Sequence, residues 1–198
     1  FSIAGGPALN ADPETDADAD AAMTVAMWVR PTEPQAEWTP LLVTGPDETG
    51  DRTLGLYFNR DGYLHFTIND DSGERTLRTA SGSVVPGRWH HVAAVVDPAA
   101  AMMSLHVDGE LAASRSTAPT LGPISTAAAE AAKVERFNDQ SFYNHSWTGG
   151  TDNVALFDEA LTDQRIAEQA QSQSGAVDIE LLALDAGGSI VGTTTIAA

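Results

Sequence analysis

Cysteine is absent from all 198 residues of the sequence. Disulfides, thiolate metal sites and cysteine nucleophiles are therefore excluded together. No apolar run approaches the roughly 18 residues that a membrane-spanning helix needs, so the sequence predicts no membrane insertion. The chain does not open with the basic and apolar regions of a secretory signal, and we expect it to be a piece excised from a longer protein.

Basic residues are also scarce. The chain has 10 lysines and arginines against 28 aspartates and glutamates, its only lysine is Lys133, and its formal net charge is −18. A field of this sign repels phosphate backbones, which argues against nucleic acid as a partner. Two explanations of the excess acid remain open. It can keep the protein soluble in a salty environment, where charges are screened beyond about 8 Å, or some carboxylates can bind calcium.

The residues that are present suffice for one large domain. Hydrophobic residues make up 42% of the chain, which is enough for a sizeable core and argues against disorder. All-β sandwiches of about 200 residues commonly form a single domain. We therefore expect one main domain over residues 1–174.

Short apolar runs separated by turn residues dominate the sequence. Turn signals recur about every 8–12 residues, a spacing typical of an antiparallel sandwich or barrel. Asp61-Gly62 and Asp108-Gly109 predict type I′ hairpin turns, because that turn needs positive φ at both central residues. The clearest predicted strands are residues 23–31, 41–44, 53–59, 63–69 and 89–97.

Two features near the carboxyl end differ from this pattern. Thr162 fits the N-cap and Asp163 the first turn of a short helix. The residues on its apolar side are Leu161, Ile166 and Ala170. Residues 175–198 predict a further pair of strands around Gly187-Gly188. That pair either completes the sandwich or starts a linker or a further module.

Four motifs occur in order along the chain and together resemble one family. They are MTVAMWVRP (23–31), GRWHHVAAVVD (87–97), LHVDGELAA (105–113) and WTGGTDNVALFDEALTDQRIAEQ (147–169). Their order and spacing resemble the laminin-G-like branch of the concanavalin A-like lectin/glucanase superfamily, most of all its bacterial, pentraxin-like members. The resemblance implies an all-β fold, a two-sheet antiparallel jelly-roll sandwich with one short helix on its C-terminal side.

Most residues of these motifs have a structural interpretation. Trp28 and Trp89 are large aromatic residues within apolar strands, so we expect both to be core anchors. His90 and His91 point to opposite faces of one strand. We expect them to belong to a hydrogen-bonded framework, because neighbours on opposite faces cannot easily share one metal ion.

The carboxylate motif of the catalytic relatives is missing. The resemblance implies that an enzyme of this superfamily would carry an E-x-D-x-x-E or E-x-D-x-E strand, which places nucleophile and acid about 5–5.5 Å apart. Asp178-Ile179-Glu180 supplies two acids on one strand face but lacks the third. The sequence also lacks G-x-S-x-G, H-E-x-x-H and a glycine-rich phosphate loop. We therefore expect no catalytic residues and no enzymatic activity.

The resemblance also implies a calcium ion on the convex side of the sandwich. Its side-chain ligand would be Asp152 in the closing motif, with backbone carbonyls from residues 2–6 and from Gly45. An all-oxygen set of this kind suits a hard cation. The alternative for Asp152 is a hydrogen-bonding role that caps a turn.

Residues 137–147 concentrate aromatic and amide side chains in one loop. Aromatic rings can stack on the apolar face of a pyranose while amides and carboxylates bind its hydroxyls, and the same side chains suit a protein interface. The candidate ligand-binding residues of this loop are Asn138, Asp139, Tyr143 and His145. The acidic turn of Asp70 and Asp71 is a further candidate at the rim.

These features favour a calcium-assisted module that binds a glycan or glycoprotein, in a bacterial surface adhesin or an exported multidomain protein. We expect it outside the cell or at the surface of a salt-adapted bacterium, with neighbouring modules of a longer chain as further partners. Two alternatives remain open. One is a structural or protein-interaction module without a small ligand, and the other is a glycoside hydrolase or lyase on the same fold.

Overall fold

The computed structural model describes residues 2–3, 22–44, 54–70, 73–117, 132–134, 147–174, 179–184 and 190–196. In these ranges the chain forms thirteen strands and one helix. The strands are Ser2–Ile3 (β1), Met23–Pro31 (β2), Thr39–Thr44 (β3), Leu54–Phe58 (β4), Leu64–Asp70 (β5), Gly73–Arg78 (β6), His90–Asp97 (β7), Met102–Val107 (β8), Glu110–Ser116 (β9), Ala132–Val134 (β10), Gly149–Phe157 (β11), Ile179–Leu184 (β12) and Ile190–Ile196 (β13). The helix, α1, spans Asp163–Ser174. Within the described ranges, no helix has the length and apolar character needed to cross a membrane.

Two antiparallel sheets form the body of the protein. One has six strands in the order β1-β10-β3-β4-β5-β6, and the other has five in the order β11-β2-β7-β8-β9. Their inward side chains make one core, which includes Leu56 and Phe66 of the first sheet and Val25 and Val92 of the second. The two-sheet sandwich with a single helix confirms the predicted fold class.

The central strand β2 is buried on both sides. Val25 and Met27 lie in the core between the sheets, whereas Thr24, Ala26 and Trp28 lie on the outward side and are also buried. The outward side is partly covered by a second apolar cluster, which spans β2, β7 and the α1 region. Its buried members are Ala26, Ala93, Val95, Leu161 and Ile166.

Helix α1 begins and packs as the sequence predicts. The Arg165 N–H donates to Thr162 Oγ1 (3.3 Å), so Thr162 is the N-cap. The three residues of the predicted apolar side are buried: Leu161, Ile166 and Ala170. A Cβ at Gly109 would lie only 3.0 Å from the Ala167 Cα. Glycine therefore lets the helix approach the β8–β9 turn closely.

The β8–β9 turn has the predicted type. Asp108 and Gly109 both have positive φ, 54° and 84°, as a type I′ turn requires. Asp108 also binds β7 through its side chain, because its Oδ1 accepts the His91 N–H (3.0 Å). The turn therefore ties three neighbouring strands together.

The β4–β5 turn differs from the prediction. Only Gly62 has positive φ there, 71°. The Gly62 N–H donates to Asn59 O (2.9 Å) and the Asn59 N–H to Tyr63 O (3.0 Å), so the loop has three residues. The type I′ prediction at Asp61-Gly62 is wrong. The longer loop is also bonded to a segment further along the chain, because the Val84 N–H donates to Gly62 O (3.0 Å).

The strand pair predicted within residues 175–198 is present. β12 and β13 pair antiparallel, with Ile179 opposite Ile196, and form a two-stranded sheet of their own. The division of the chain after residue 174, and the role of this pair, stay predictions.

Candidate functional site

A row of side chains crosses three strands on the outward face of the six-stranded sheet. Tyr57 of β4 lies directly opposite His65 of β5, and His65 lies opposite Arg78 of β6. Direct partners in an antiparallel pair share one face, with Cβ atoms about 4.5–5.5 Å apart. Their strand neighbours Leu56 and Phe66 are in the core. The row therefore points away from the core.

Trp38 extends this row into an aromatic cluster, here called the Trp38 cluster and made of Trp38, Tyr57 and His65. The Trp38 ring meets the His65 ring edge-on at 4.7 Å between centroids and the Tyr57 ring at 6.1 Å. Tyr57 is fully buried, whereas Trp38 and His65 are partly exposed. A Cβ at Gly55 would clash with the Tyr57 ring, so glycine makes room for this base. Two rings thus face solvent on a buried aromatic support.

The backbone of Trp38 has an uncommon conformation. Its φ is 60°, in the left-handed region that bulky residues rarely adopt. The Trp38 N–H donates to Oδ1 of the buried Asn59 (3.1 Å). Beside it, Glu37 and Arg60 form an ion pair (2.6 Å) that joins the same two loops. Backbone strain of this kind concentrates at functional sites, so it singles out Trp38.

Gln35 anchors the loop that carries Trp38. Its Nε2 donates to Thr148 O (2.9 Å) and its Oε1 accepts the Thr148 N–H (2.9 Å). The same Nε2 donates to Glu33 O (2.7 Å). Because Gln35 is only 5% exposed, these bonds are shielded from water. The side chain ties the β2–β3 loop to the residue that precedes β11.

Polar groups continue along the same face of β5 and β6. Thr67 Oγ1 donates to a Glu74 carboxylate oxygen (2.7 Å), and Asn69 lies opposite Glu74. Arg78, at the end of the row, is exposed. Exposed rings beside amide, carboxylate and guanidinium groups can stack on a sugar and bind its hydroxyls, the mixture of contacts that small-ligand sites use.

Trp89, on the outward face of the other sheet, does not belong to the core. It is 39% exposed, and the Arg30 guanidinium lies 5.2 Å from its ring centroid. A Cβ at Gly150 would come 2.9 Å from the indole, so glycine leaves room for the ring. The core-anchor prediction is confirmed for Trp28, which is buried, and wrong for Trp89. Strand alternation places His90 inside and therefore turns Trp89 outward.

Asp152 lies on this same outward face, opposite Trp28. It is exposed, and its Oδ1 accepts the Asn153 N–H (2.8 Å). This is a local hydrogen bond of the kind expected if Asp152 caps a turn instead of binding calcium. A calcium ion takes six to eight oxygen ligands, and within the described ranges no group of three acidic or histidine side chains comes together. The side chains of the described ranges therefore do not assemble such a ligand set on their own, and the expected site would depend on backbone carbonyls. Binding by Asp152 stays a prediction, because Gly45 and residues 4–6 lie outside those ranges.

His90 belongs to the hydrogen-bonded framework that the sequence predicts. Its Nε2 accepts the Val85 N–H (3.1 Å), so its Nδ1 carries the proton toward Asp108 Oδ2 (2.8 Å). His91, on the opposite side of β7, meets Trp28 edge-on at 5.4 Å. Both histidines are buried, although they point in opposite directions.

The loop and turn candidates from the sequence are placed only in part. Four loop residues and one turn residue lie outside the described residues: Asn138, Asp139, Tyr143, His145 and Asp71. Asp70 ends β5, five residues from His65 and therefore roughly 16 Å along the strand, so the structure does not bring it into the Trp38 cluster. Trp147, which ends the predicted loop, is buried against Phe58 at 5.7 Å. Gln35 binds the next residue, Thr148, so that loop rejoins the described chain beside the Trp38 loop.

Sequence reasoning missed the Trp38 cluster. Its members are far apart in sequence, and no motif of the resemblance contains them. The available signal was the alternation of β4 and β5, which puts Tyr57 and His65 on the non-core side of two adjacent strands. An aromatic ring and an imidazole on that side indicate a face that could bind a ligand.

Comparison with known proteins identifies a family. Residues 4–167 match the family model described as the concanavalin A-like lectin/glucanases superfamily. A search of curated proteins found no match.

Solved structures share the fold at low sequence identity. The CBM40 domain of the Ruminococcus gnavus IT-sialidase, bound to α2,3-sialyllactose, is 16% identical with a TM-score of 0.66, and the match covers 86% of this chain and 95% of that one. A SAP-like pentraxin of Limulus polyphemus is 17% identical with a TM-score of 0.55, over 76% of this chain and 71% of that one. The NanB sialidase of Streptococcus pneumoniae is 15% identical with a TM-score of 0.65, over 75% of this chain and 24% of that one.

At these identities the structures show a shared fold alone, and the family rests on the sequence match. That match covers most of the chain and agrees with the two antiparallel sheets. This chain therefore belongs to the concanavalin A-like lectin/glucanase superfamily.

Proposed function

We propose that this chain is a non-catalytic carbohydrate-binding module that holds a glycan at the Trp38 cluster. The observation that carries the proposal is the pair of partly exposed rings, Trp38 and His65, supported by buried Tyr57 on the outward face of the six-stranded sheet. The CBM40 domain, which shares the fold, is bound to a sialylated sugar. A glycan on this face would stack on the rings and exchange hydrogen bonds with Arg78.

The site is organised before any ligand binds. Asn59 holds the Trp38 backbone, and Gln35 holds the loop on Thr148. Ordering a loop and its side chains on binding costs about 0.5–1.5 kcal/mol per immobilised side chain. A loop that is already held avoids much of that cost, so a shallow, single-sugar contact can still give useful affinity.

The non-catalytic part of the proposal rests on the whole sequence, which lacks the carboxylate strand of the glucanase relatives. We further propose that the module works outside the cell within a longer exported protein. Relatives of the fold support this, since the match covers 24% of the NanB sialidase chain. It also covers 41% of the binding-domain chain of Paraclostridial Mosquitocidal Protein 1, at 14% identity and a TM-score of 0.62.

A glycan array with a matched pair of tryptophan variants tests the proposal. Trp38→Ala should weaken binding of every bound glycan by about 30-fold, the effect of losing a contact worth about 2 kcal/mol. Trp89→Ala, which removes an exposed tryptophan from the other sheet, should leave binding unchanged. Both variants should keep the wild-type β-sheet circular dichroism.

Two results would contradict the proposal. One is an array on which the wild-type protein binds no glycan. The other is binding that survives Trp38→Ala and disappears with Trp89→Ala, which would move the site to the opposite face.

A further inference from the structure

Helix α1 rests beside two buried histidines of the five-stranded sheet. His106 of β8 is 1% exposed and His91 of β7 is 3% exposed. His106 lies opposite Ala93, so the two rings are close neighbours on the outward face of this sheet. Asp163, in the first turn of α1, has its Oδ1 3.8 Å from His106 Nε2.

Neither ring has a partner for a second proton. His106 Nε2 lies 3.0 Å from Ser104 Oγ, but the Nδ1 atoms of His91 and His106 are buried without a hydrogen-bond partner. A protonated imidazole donates from both nitrogens. Protonation in place would therefore create a buried charge whose new N–H has no acceptor, and such a charge is costly.

The surrounding charges do not offset this cost. Burial lowers the pKa of His91 from 6.5 to about 4, against the opposing attraction of Asp108 and with a further lowering by His106. Burial also lowers the pKa of His106, against the attraction of Asp163. The Asp163 side chain is 81% exposed, so water screens it.

Other charged residues of the packed elements are exposed to water: Arg165 and Glu168 of α1 and Glu110 of β9. Trp28 of β2 is uncharged and touches His91, and Asp152 of β11 lies beyond it, exposed to water.

The helix itself is held by few contacts. Its buried side chains are Ile166 and Ala170, with Leu161 just before it. A helix of 12 residues is marginal on its own in water. The apolar contact and the neutral histidines beneath it therefore decide whether it stays on the sheet.

We propose that His91 and His106 form an acid-sensitive latch, which keeps α1 on the five-stranded sheet while both rings are neutral and releases it when they are protonated. With α1 detached, water reaches the rings and each regains its ordinary affinity for protons. For each histidine the opening equilibrium then shifts by about tenfold per pH unit. For His91 alone the shift is about 300-fold over its whole titration, and about 80-fold of this falls between pH 6.5 and pH 4.

Single cysteines can report this opening, because the chain has none of its own. Ala170→Cys places a thiol under α1, Ala94→Cys places one in the core between the sheets, and Ser172→Cys places one on the exposed side of α1. Each full-length variant is labelled with an aromatic disulfide reagent that stays reactive in acid. The Ser172→Cys rate corrects for the pH dependence of the labelling chemistry.

The corrected labelling of Ala170→Cys should rise by about 80-fold or more between pH 6.5 and pH 4, while that of Ala94→Cys stays slow. His91→Phe, which keeps a ring beside Trp28, should remove most of this rise, and His106→Gln, which can still bond Ser104, should reduce it. If one of these variants does not fold, the other carries the test. A rise that both variants leave unchanged, a rise shared by Ala94→Cys, or no rise at all would overturn the latch.

Discussion

The outward faces of the two sheets are completed in opposite ways. On the six-stranded sheet, the rings of Trp38 and His65 remain partly exposed. On the five-stranded sheet, α1 covers Ala93 and Val95, and the neighbouring His91 is buried. A histidine thus reaches solvent on one face and is sealed on the other. The same sandwich has one outward face with partly exposed rings and one outward face that packs like a core.

The strands themselves account for this difference. The outward residues of β5 are His65, Thr67 and Asn69, which are polar and of moderate size. Those of β7 are His91, Ala93 and Val95, and the two small apolar ones let a helix approach. Burial of apolar area drives the helix onto β7. The polar side chains of β5 offer no such gain, so that face is better suited to recognition.

The largest effect should follow from removing the side chain that seats the helix. Ile166 is fully buried, and Ile166→Ala should lower the free energy of unfolding by about 2–5 kcal/mol, because it removes apolar area and leaves a cavity. Urea denaturation followed by circular dichroism measures the change. Glu168→Ala, on the exposed side of the same helix, should change stability by less than about 0.5 kcal/mol. Equal effects from the two variants would show that α1 does not seal this face.

Acid should destabilise the protein through His91, which is buried on the outward face of the five-stranded sheet. The folded chain holds the pKa of His91 at about 4, against 6.5 for an ordinary histidine. Above pH 6.5 neither state binds the proton, so His91 contributes nothing to the pH dependence. Between pH 6.5 and pH 4 only the unfolded chain binds it, and the free energy of unfolding falls by about 3 kcal/mol in all. Below pH 4 this contribution levels off.

Urea midpoints at stepped pH values measure this loss. His91→Phe should reduce the acid slope, because the variant has no proton to bind at that position. Trp89→Phe changes an exposed ring of the five-stranded sheet that has no proton to titrate, and it should leave the slope as it is. An unchanged slope in His91→Phe would contradict the burial argument.

The Trp38 cluster should depend on Gln35, which anchors its loop, as well as on its rings. Gln35→Leu removes the two bonds to Thr148, each worth about 0.5–1.5 kcal/mol, so stability should fall by about 1–3 kcal/mol. Glycan affinity should fall as well, because the Trp38 loop loses its anchor. Gln164→Leu provides the matched change on the exposed side of α1, where neither property should move. Calorimetry measures the change in stability, and array binding measures the change in glycan affinity. A loss of stability without any loss of binding would show that the Gln35 bonds do not support the Trp38 cluster.

Local rules predicted the fold well, because each acts over a few residues. The alternation of residues 23–31, the N-cap at Thr162 and the paired positive φ values at Asp108-Gly109 all have direct local causes. Trp89 shows where such rules stop. Whether an aromatic residue at the start of a strand enters the core depends on which residue of the strand faces inward, and Gly150 on a distant strand completes its outward site.

The Trp38 cluster shows the same limit for the candidate site. A two-residue turn at Asp61-Gly62 would place Tyr57 opposite Phe66, so both side chains would lie on one face and Tyr57 could not join the row beside His65. The three-residue loop instead places Tyr57 opposite His65. A shift of one residue exchanges the faces of a whole strand. The loop that sets this register is bonded to Val84, about twenty residues away. The hairpin sequence alone therefore does not predict that Tyr57 and His65 lie side by side.

The smallest expected effect concerns Asp152, on the part of the five-stranded face next to exposed Trp89. Extracellular calcium modules bind with dissociation constants of about 10⁻⁴–10⁻³ M. At about 2 mM calcium, binding of this strength would stabilise the folded chain by about 1 kcal/mol. Thermal unfolding should therefore shift upward by a few degrees with calcium and return with chelator. Asp152→Asn should abolish the shift, and Asp158→Asn, another exposed acid nearby in sequence, should preserve it. A shift that survives Asp152→Asn would assign calcium to other oxygens, and the local bond to the Asn153 N–H would then be the established role of Asp152.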